Sequence, residues 1–271
     1  MSGTGTVAVI GAGVMGETLL SGLVRGGYDP GSLLVVEKRR ERAAELAERY
    51  GVRVVADLAE VAGSDTVALV VKPQDMGSVL AEIAPHVVPG QLVVSLAAGI
   101  TTAYVEGRLP AGVPVVRVMP NTPALVDEGM AAISPGSHCD EEHLARAEAM
   151  LAATGRVVRV PEKQQDAVTA ISGSGPAYLF FVVESMIEAG VHLGLPRSTA
   201  TELVVQTLVG SAKMLRETGE HPTVLRERVT SPGGTTAAAI RQLEDHKVRA
   251  AFIGAMEAAR DRSVALAASD D

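Results

Sequence analysis

The chain has 271 residues, is 47% hydrophobic but only 3% aromatic, and carries a formal net charge of −8. That length allows two cores, and the negative balance excludes the concentrated positive face that a nucleic-acid groove requires. The single cysteine, Cys139, rules out an intrachain disulfide framework. No apolar stretch reads as long and charge-free enough to span a bilayer, and the N-terminus opens into a strand, unlike a cleavable leader. A cytoplasmic protein without membrane or nucleic-acid partners is therefore expected.

Thr6–Ile10 is a short apolar run of the kind buried on both faces of a parallel sheet. Gly11-Ala12-Gly13-Val14-Met15-Gly16 follows, then a helical pattern through Leu19, Leu20, Leu23 and Val24 that Gly26-Gly27 stops. Leu33–Val36 predicts a second strand, and Arg39–Tyr50 a charged helix closed by Gly51. Further strands are expected at Arg53–Val55, Thr66–Val71, Leu92–Ser95 and Val115–Val118, with helical segments between them. A strand–helix–strand piece over Met130–Ser134, Glu141–Ala153 and Val157–Val160 completes this half. Such alternation signals an α/β domain, a parallel sheet with helices on both faces.

After Pro161 the strand signals cease. Long helical patterns run from about Ala177 to Leu193 and from Arg197 to Thr218, punctuated by Gly194-Leu195-Pro196 and Gly219-Glu220-His221-Pro222. The expected organisation is a Rossmann-type dinucleotide-binding domain over residues 1–160 and an all-α domain over 161–271. The helices of the second half, with Leu179-Phe180-Phe181-Val182-Val183 and Leu203-Val204-Val205, have no clean polar face. A helix apolar all round must be covered on all sides, which favours an intertwined homodimer over a compact monomeric bundle.

Gly11-x-Gly13-x-x-Gly16 lies between a strand and a helix. The first glycine permits a tight turn, the second lets backbone approach a pyrophosphate, and the third packs helix against strand. The helix N-terminus behind them attracts negative charge. At the end of the second strand Glu37 suits a ribose diol and so NADH, whereas Lys38 and Arg39 suit a 2′-phosphate and so NADPH. The balance leans toward NADPH, while Arg40 and Arg42 read as a solvated helix face. Val71-Lys72-Pro73 and Ser95-Leu96-Ala97-Ala98-Gly99 end the fourth and fifth strands, where ligands of open α/β sheets bind, although either suits a plain strand-to-helix turn.

Ser231-Pro232-Gly233-Gly234-Thr235-Thr236 precedes the helical stretch Ala237–Leu243. Its glycines let backbone N–H groups converge on a carboxylate or phosphate, and one helix cap would not need so many hydroxyls. Ser172-Gly173-Ser174-Gly175-Pro176 is a second loop of this kind. The six histidines show no pair at helical ligand spacing, so no metal is expected; His221, beside Pro222, reads as a helix-boundary residue.

Met119-Pro120-Asn121-Thr122-Pro123, Ile171–Tyr178 (ISGSGPAY) and Val229–Thr236 (VTSPGGTT) with Leu243-Glu244 resemble the pyrroline-5-carboxylate reductase family, in its order and over essentially the whole chain. The resemblance implies NAD(P)H-dependent reduction of 1-pyrroline-5-carboxylate to L-proline, the last step of proline biosynthesis. It also implies a Rossmann domain followed by a helical dimerisation domain, in some members assembled into decamers. By the same resemblance Ser231, Gly234, Thr235 and Thr236 would hold the substrate carboxylate, with the Thr236 hydroxyl near the ring nitrogen as the catalytic contact; Ser174, in the second small-residue loop, is a further candidate for substrate binding. Ile10, Gly11, Ala12, Gly13, Val14 and Met15 would line the dinucleotide with Lys72, Pro73, Ala97 and Ala98. Two positions depart from the pattern, both at the adenosine end: Leu58, where relatives often carry Asn, and Val36-Glu37-Lys38, where they often carry a short polar residue and Asn-Arg. A β-hydroxyacid dehydrogenase shares this domain order, but Gly173–Gly190 contains no lysine to serve as the base that oxidation of a hydroxyl requires. A catalytically silent dinucleotide-binding regulator would not need the SPGGTT loop.

Overall fold

Eight strands form one sheet in the order β3-β2-β1-β4-β5-β6-β7-β8 in a computed structural model that describes residues 5–268. The first four and last three residues, which the two expected domains include, lie outside that range. The strands are β1 (Val7–Ile10), β2 (Leu33–Val36), β3 (Arg53–Val55) and β4 (Thr66–Leu69), then β5 (Leu92–Ser95), β6 (Val115–Met119), β7 (Gly129–Pro135) and β8 (Gly155–Arg159). The chain order reverses between β1 and β4, which puts the topological switch point, where open α/β sheets bind ligands, beside the glycine loop.

Strand alternation sends Val7, Val9, Leu33 and Val35 to one face, under the helices Val14–Arg25, Arg40–Tyr50 and Glu141–Leu151. Ala8, Ile10, Leu34 and Val36 go to the other, with Met76, Leu80 and Ile83 of the helix Met76–Ile83. All the residues of β1, β2 and β4 are buried, as in parallel strands covered on both sides. Each buried Val or Leu contributes about 1.5–3 kcal/mol over leaving it exposed.

One expectation is corrected at β7, which runs antiparallel to β6 before β8 pairs with it in parallel. Only Pro120 to Glu128 link β6 to β7, and a parallel crossover needs a dozen or more residues. A second correction concerns helix length. Glu162–His192 is one helical run of 31 residues that includes a π-helical turn at Thr169–Gly173, and it is long and apolar enough to cross a membrane. Ser172-Gly173-Ser174-Gly175 interrupts the helical pattern in the sequence, but the π turn carries the helix through these residues.

The chain divides into two compact units, residues up to Ser174 with the last helix from Ala259 on, and Gly175–Ala258. The second unit contains no strand among the described residues; its helices are Gly175–His192, Arg197–Thr218, Pro222–Arg228, Thr235–Asp245 and the first turns of Val248–Ala268. The two long helices pack where a Cβ on Gly190 would stand 2.9 Å from the Cβ of Ala200, a contact that only a glycine admits at this spacing. An Arg197–Glu188 ion pair of 2.5 Å spans the same turn. Within these two helices only Pro176 and Ala200 are buried, while Phe180 and Phe181 are 68% and 69% exposed.

Candidate active site

The glycine loop is built as a phosphate cradle. Gly11 has φ +95°, and a Cβ there would lie 2.6 Å from the Val70 carbonyl oxygen, so no other residue fits. A Cβ on Gly16 would collide with the Gly11 carbonyl, which seats the helix directly against the loop. Gly13 faces open space, so backbone there is free to meet a ligand. It also caps the helix Val14–Arg25 without a side-chain hydrogen bond, leaving first-turn N–H groups available to an anion. These features fit a dinucleotide pyrophosphate.

Behind the loop, Arg42 donates to the Ala12 carbonyl oxygen at 3.4 Å and pairs with Glu17 and, at 2.7 Å, with Glu45. Glu17 also accepts from Arg49 at 3.0 Å and from the Tyr50 hydroxyl at 2.9 Å. Burial works to raise the Glu17 pKa, but hydrogen bonds from Arg42 and Tyr50 and the charges of Arg42 and Arg49 hold it below the ordinary value. Arg42 is thus a brace for the glycine loop, and the expected solvated position is corrected for it; Arg40 is exposed.

A cavity of about 350 Å³ opens beside this loop, lined by Ile10, Gly11, Val36, Glu37, Lys38 and Leu58 among others. The Glu37 side chain is 8% exposed and accepts three hydrogen bonds from Arg39: from its backbone N at 2.9 Å, Nε at 3.0 Å and Nη2 at 2.9 Å. Those bonds and the Arg39 charge lower the Glu37 pKa against the opposing effect of burial. Lys38 pairs with Glu82 at 3.2 Å. Both cations at this edge therefore already face carboxylates.

A second cavity, of about 490 Å³, lies within the first unit past the ends of β4 and β5. Pro73, Gln74, Ala98 and Gly99 line one side, and Thr169 and Ser174 another. Ala259, Arg262, Ser263 and Leu266, one face of the last helix, complete it. Ala97 is buried beneath, and Lys72, exposed, lines neither cavity, preceding the short turn Pro73–Asp75. The π turn positions Ser174, whose N–H donates to the Thr169 carbonyl oxygen at 2.8 Å. Asn121 braces that turn: its Nδ2 donates to the Ser172 carbonyl oxygen at 3.1 Å, and its Oδ1 accepts from Met130 N at 2.8 Å. Nearby, buried Arg117 donates to Glu162 at 3.3 Å, and Glu162 accepts from Thr102 N and Oγ1 at 2.7 and 2.6 Å. Sequence reasoning met Asn121 only within a resembling motif and missed Arg117, Glu162 and Arg262, because their partners are remote in the chain.

In the second unit, Gly233 takes φ +70° and Gly234 N donates to the Ser231 carbonyl oxygen at 3.0 Å, closing a turn. Gly234, with no side chain, caps the helix Thr235–Asp245. Ser231, Thr235 and Thr236 make no side-chain hydrogen bond among the described residues, so none of these hydroxyls serves as a helix cap. His221 does cap, its Nδ1 accepting from Thr223 N at 3.3 Å. Among the described residues no three His, Cys, Asp or Glu side chains cluster to hold a metal ion.

Known proteins share this arrangement. Residues 162–266 match the family profile for pyrroline-5-carboxylate reductase dimerisation, and residues 6–99 match that of the coenzyme F420-dependent NADP oxidoreductases. A pyrroline-5-carboxylate reductase of Corynebacterium melassecola is 48% identical over 262 residues, covering 95% of this chain and 97% of its own. The chain belongs to the pyrroline-5-carboxylate reductase family. The Mycobacterium tuberculosis pyrroline-5-carboxylate reductase is 44% identical, with 96% of each chain covered. The solved Coxiella burnetii pyrroline-5-carboxylate reductase superposes with a TM-score of 0.92 at 37% identity, covering 96% of this chain and 97% of that one. The Plasmodium falciparum pyrroline carboxylate reductase, solved with NADP bound, has a TM-score of 0.88 at 29% identity, covering 98% and 100%. The chain is accordingly an oxidoreductase with a Rossmann-type N-terminal domain and a helical C-terminal dimerisation domain.

Proposed function

We propose that this chain reduces 1-pyrroline-5-carboxylate to L-proline with NADPH in the cytoplasm, in the last step of proline biosynthesis. Residues 1–160 act as the dinucleotide domain and 161–271 as the dimerisation and substrate domain. The observation that carries the reading is the presence in one chain of an open glycine cradle at Gly13 and a Gly-capped SPGGTT loop whose hydroxyls have no partner among the described residues. The reduced nicotinamide supplies the hydride. Ile10, Gly11, Ala12, Gly13, Val14, Met15 and Gly16 hold the pyrophosphate side, and Lys72, Pro73, Ala97 and Ala98 also line the dinucleotide.

Ser231, Gly234 and Thr235 hold the substrate carboxylate, together with N–H groups at the helix start. The Thr236 hydroxyl accepts from the protonated imine N–H, and Ser174 stands at the cavity wall. A protonated imine is already electrophilic, so orientation contributes most, on the order of 7–11 kcal/mol at best, and no strong general acid is needed. Glu37, Lys38 and Arg39 set cofactor preference. Arg39 and Lys38, which pair with Glu37 and Glu82 but are both exposed, can turn to a 2′-phosphate, which supports the lean toward NADPH. The exposed apolar faces of the second unit are covered by a second copy, in a homodimer that can assemble further into a decamer.

The test is NADPH and NADH oxidation measured in parallel with pyrroline-5-carboxylate. Turnover is expected with both and a lower KM for NADPH, and Lys38→Ala with Arg39→Ala should raise the KM for NADPH more than that for NADH. Folded protein inactive with either nucleotide would sink the reaction, and equal KM changes would sink the cofactor reading.

A further inference from the structure

Among the described residues that line the cavity past β4 and β5, one is charged, Arg262. It belongs to a regular face: Ala259, Arg262, Ser263 and Leu266 stand at i, i+3, i+4 and i+7 of the helix Val248–Ala268, so a single helical stripe meets the cavity. That stripe is anchored. Ser263 is 6% exposed, and its Oγ donates to Asp166 Oδ1 at 2.7 Å, tying the turn that carries Arg262 to the segment preceding the π turn. Arg262 itself makes no hydrogen bond or ion pair among the described residues, unlike Arg42, Arg117, Arg159 and Arg197. A guanidinium presents five donors in a planar fork and is always charged, so Arg262, exposed at this cavity and without a partner among the described residues, is suited to an anionic group.

The reaction offers two kinds of anion. The dinucleotide phosphates are placed at the glycine loop and the adenosine edge, at the ends of β1 and β2. Arg262 lines a different cavity, at the ends of β4 and β5, where the uncharged reduced nicotinamide ring is expected. The remaining anion is the substrate carboxylate. We infer that Arg262 is a specificity-determining residue that binds the carboxylate of the imine substrate, an assignment that rests on the proposed reaction. A carboxylate has about four lone-pair sites, so a guanidinium contact leaves capacity for further donors. The cation must lie on the carboxylate side, because beside the imine it would oppose the positive charge on nitrogen.

Comparing pyrroline-5-carboxylate with 1-pyrroline, the same ring without the carboxylate, separates this role from a structural one. Arg262→Met should lower kcat/KM for pyrroline-5-carboxylate by about ten- to a hundredfold, the range for a lost charge-assisted hydrogen bond, and leave that for 1-pyrroline within about twofold. The KM for the nucleotide should stay unchanged. Arg262→Lys, which keeps the charge and the side-chain bulk, should recover part of the preference and serves as the variant of record if the methionine form does not fold. An equal loss on both substrates, or no loss on either, would overturn the assignment. Wild-type protein inactive on pyrroline-5-carboxylate would remove the reaction and this role with it, a result distinct from an active wild type whose Arg262 variants keep the same preference.

Discussion

At Thr236 a hydroxyl without a partner among the described residues stands in the first turn of a helix whose cap is Gly234. Removing it therefore has little to undo in the fold. Thr236→Ala is expected to leave the melting temperature unchanged while lowering kcat/KM for pyrroline-5-carboxylate by about 1.5–3 kcal/mol, the range for a hydrogen bond to a charged group. A variant with native kcat/KM would take Thr236 out of the site. The type of residue needed here was legible in the sequence, because two glycines among several hydroxyls already suggested an anion loop. The absence of side-chain capping was not, since that depends on which residue the helix starts from. The adenosine edge shows the same limit. Glu37, Lys38 and Arg39 were visible as competing charges, but only folding lays the Arg39 guanidinium along the Glu37 carboxylate.

Between elements, the helices Val14–Arg25 and Arg40–Tyr50 are joined by Glu17, Arg42, Arg49 and Tyr50, directly behind the glycine loop. Glu17→Gln keeps the shape and removes the charge. It should destabilise the protein by about 1 kcal/mol at pH 7, since a partly exposed network is screened by solvent. Because the Glu17 pKa is lowered in the folded state, its contribution is full above the unfolded carboxylate value of about 4.3 and is lost as pH falls through the lower folded value. Urea denaturation across pH should therefore show the two proteins converging in acid, and a gap that persists unchanged at low pH would show that packing, not charge, separates them. The affinity for the nucleotide should fall as well, because Arg42, freed from Glu17, would no longer hold the Ala12 carbonyl in place. Helix and strand positions were read from periodicity to within a few residues, but the direction of β7 followed from the short link after β6 and the continuity of Glu162–His192 from the π turn.

For the molecule as a whole, the decisive feature is apolar surface. Leu179, Phe180, Phe181, Leu203 and Ile253 are each more than half exposed in the single chain. Left in water they would form an apolar surface of the kind that marks an interaction site, and burying each contributes about 1.5–3 kcal/mol. Sedimentation should give twice the 28.0 kDa chain mass or a multiple of that dimer, five dimers in the case of a decamer. Phe180→Glu with Phe181→Glu should shift the protein toward monomer and lower its melting temperature. A double variant that keeps the wild-type mass would place the interface on another face.

The amino-acid sequence by itself determined the alternation of strand and helix, the glycine cradle, the SPGGTT loop and the apolar second half. These depend on local spacing and on residues adjacent in the chain, where periodicity and backbone freedom act directly. Tertiary structure decided which charges meet: Arg42 with the glycine loop, Arg117 with Glu162, Asn121 with the π turn, and Arg262 with the cavity past β4 and β5. Each brings together residues tens of positions apart. Their pairing is set by the order of strands in the sheet and the packing of helices upon it, which no local pattern encodes.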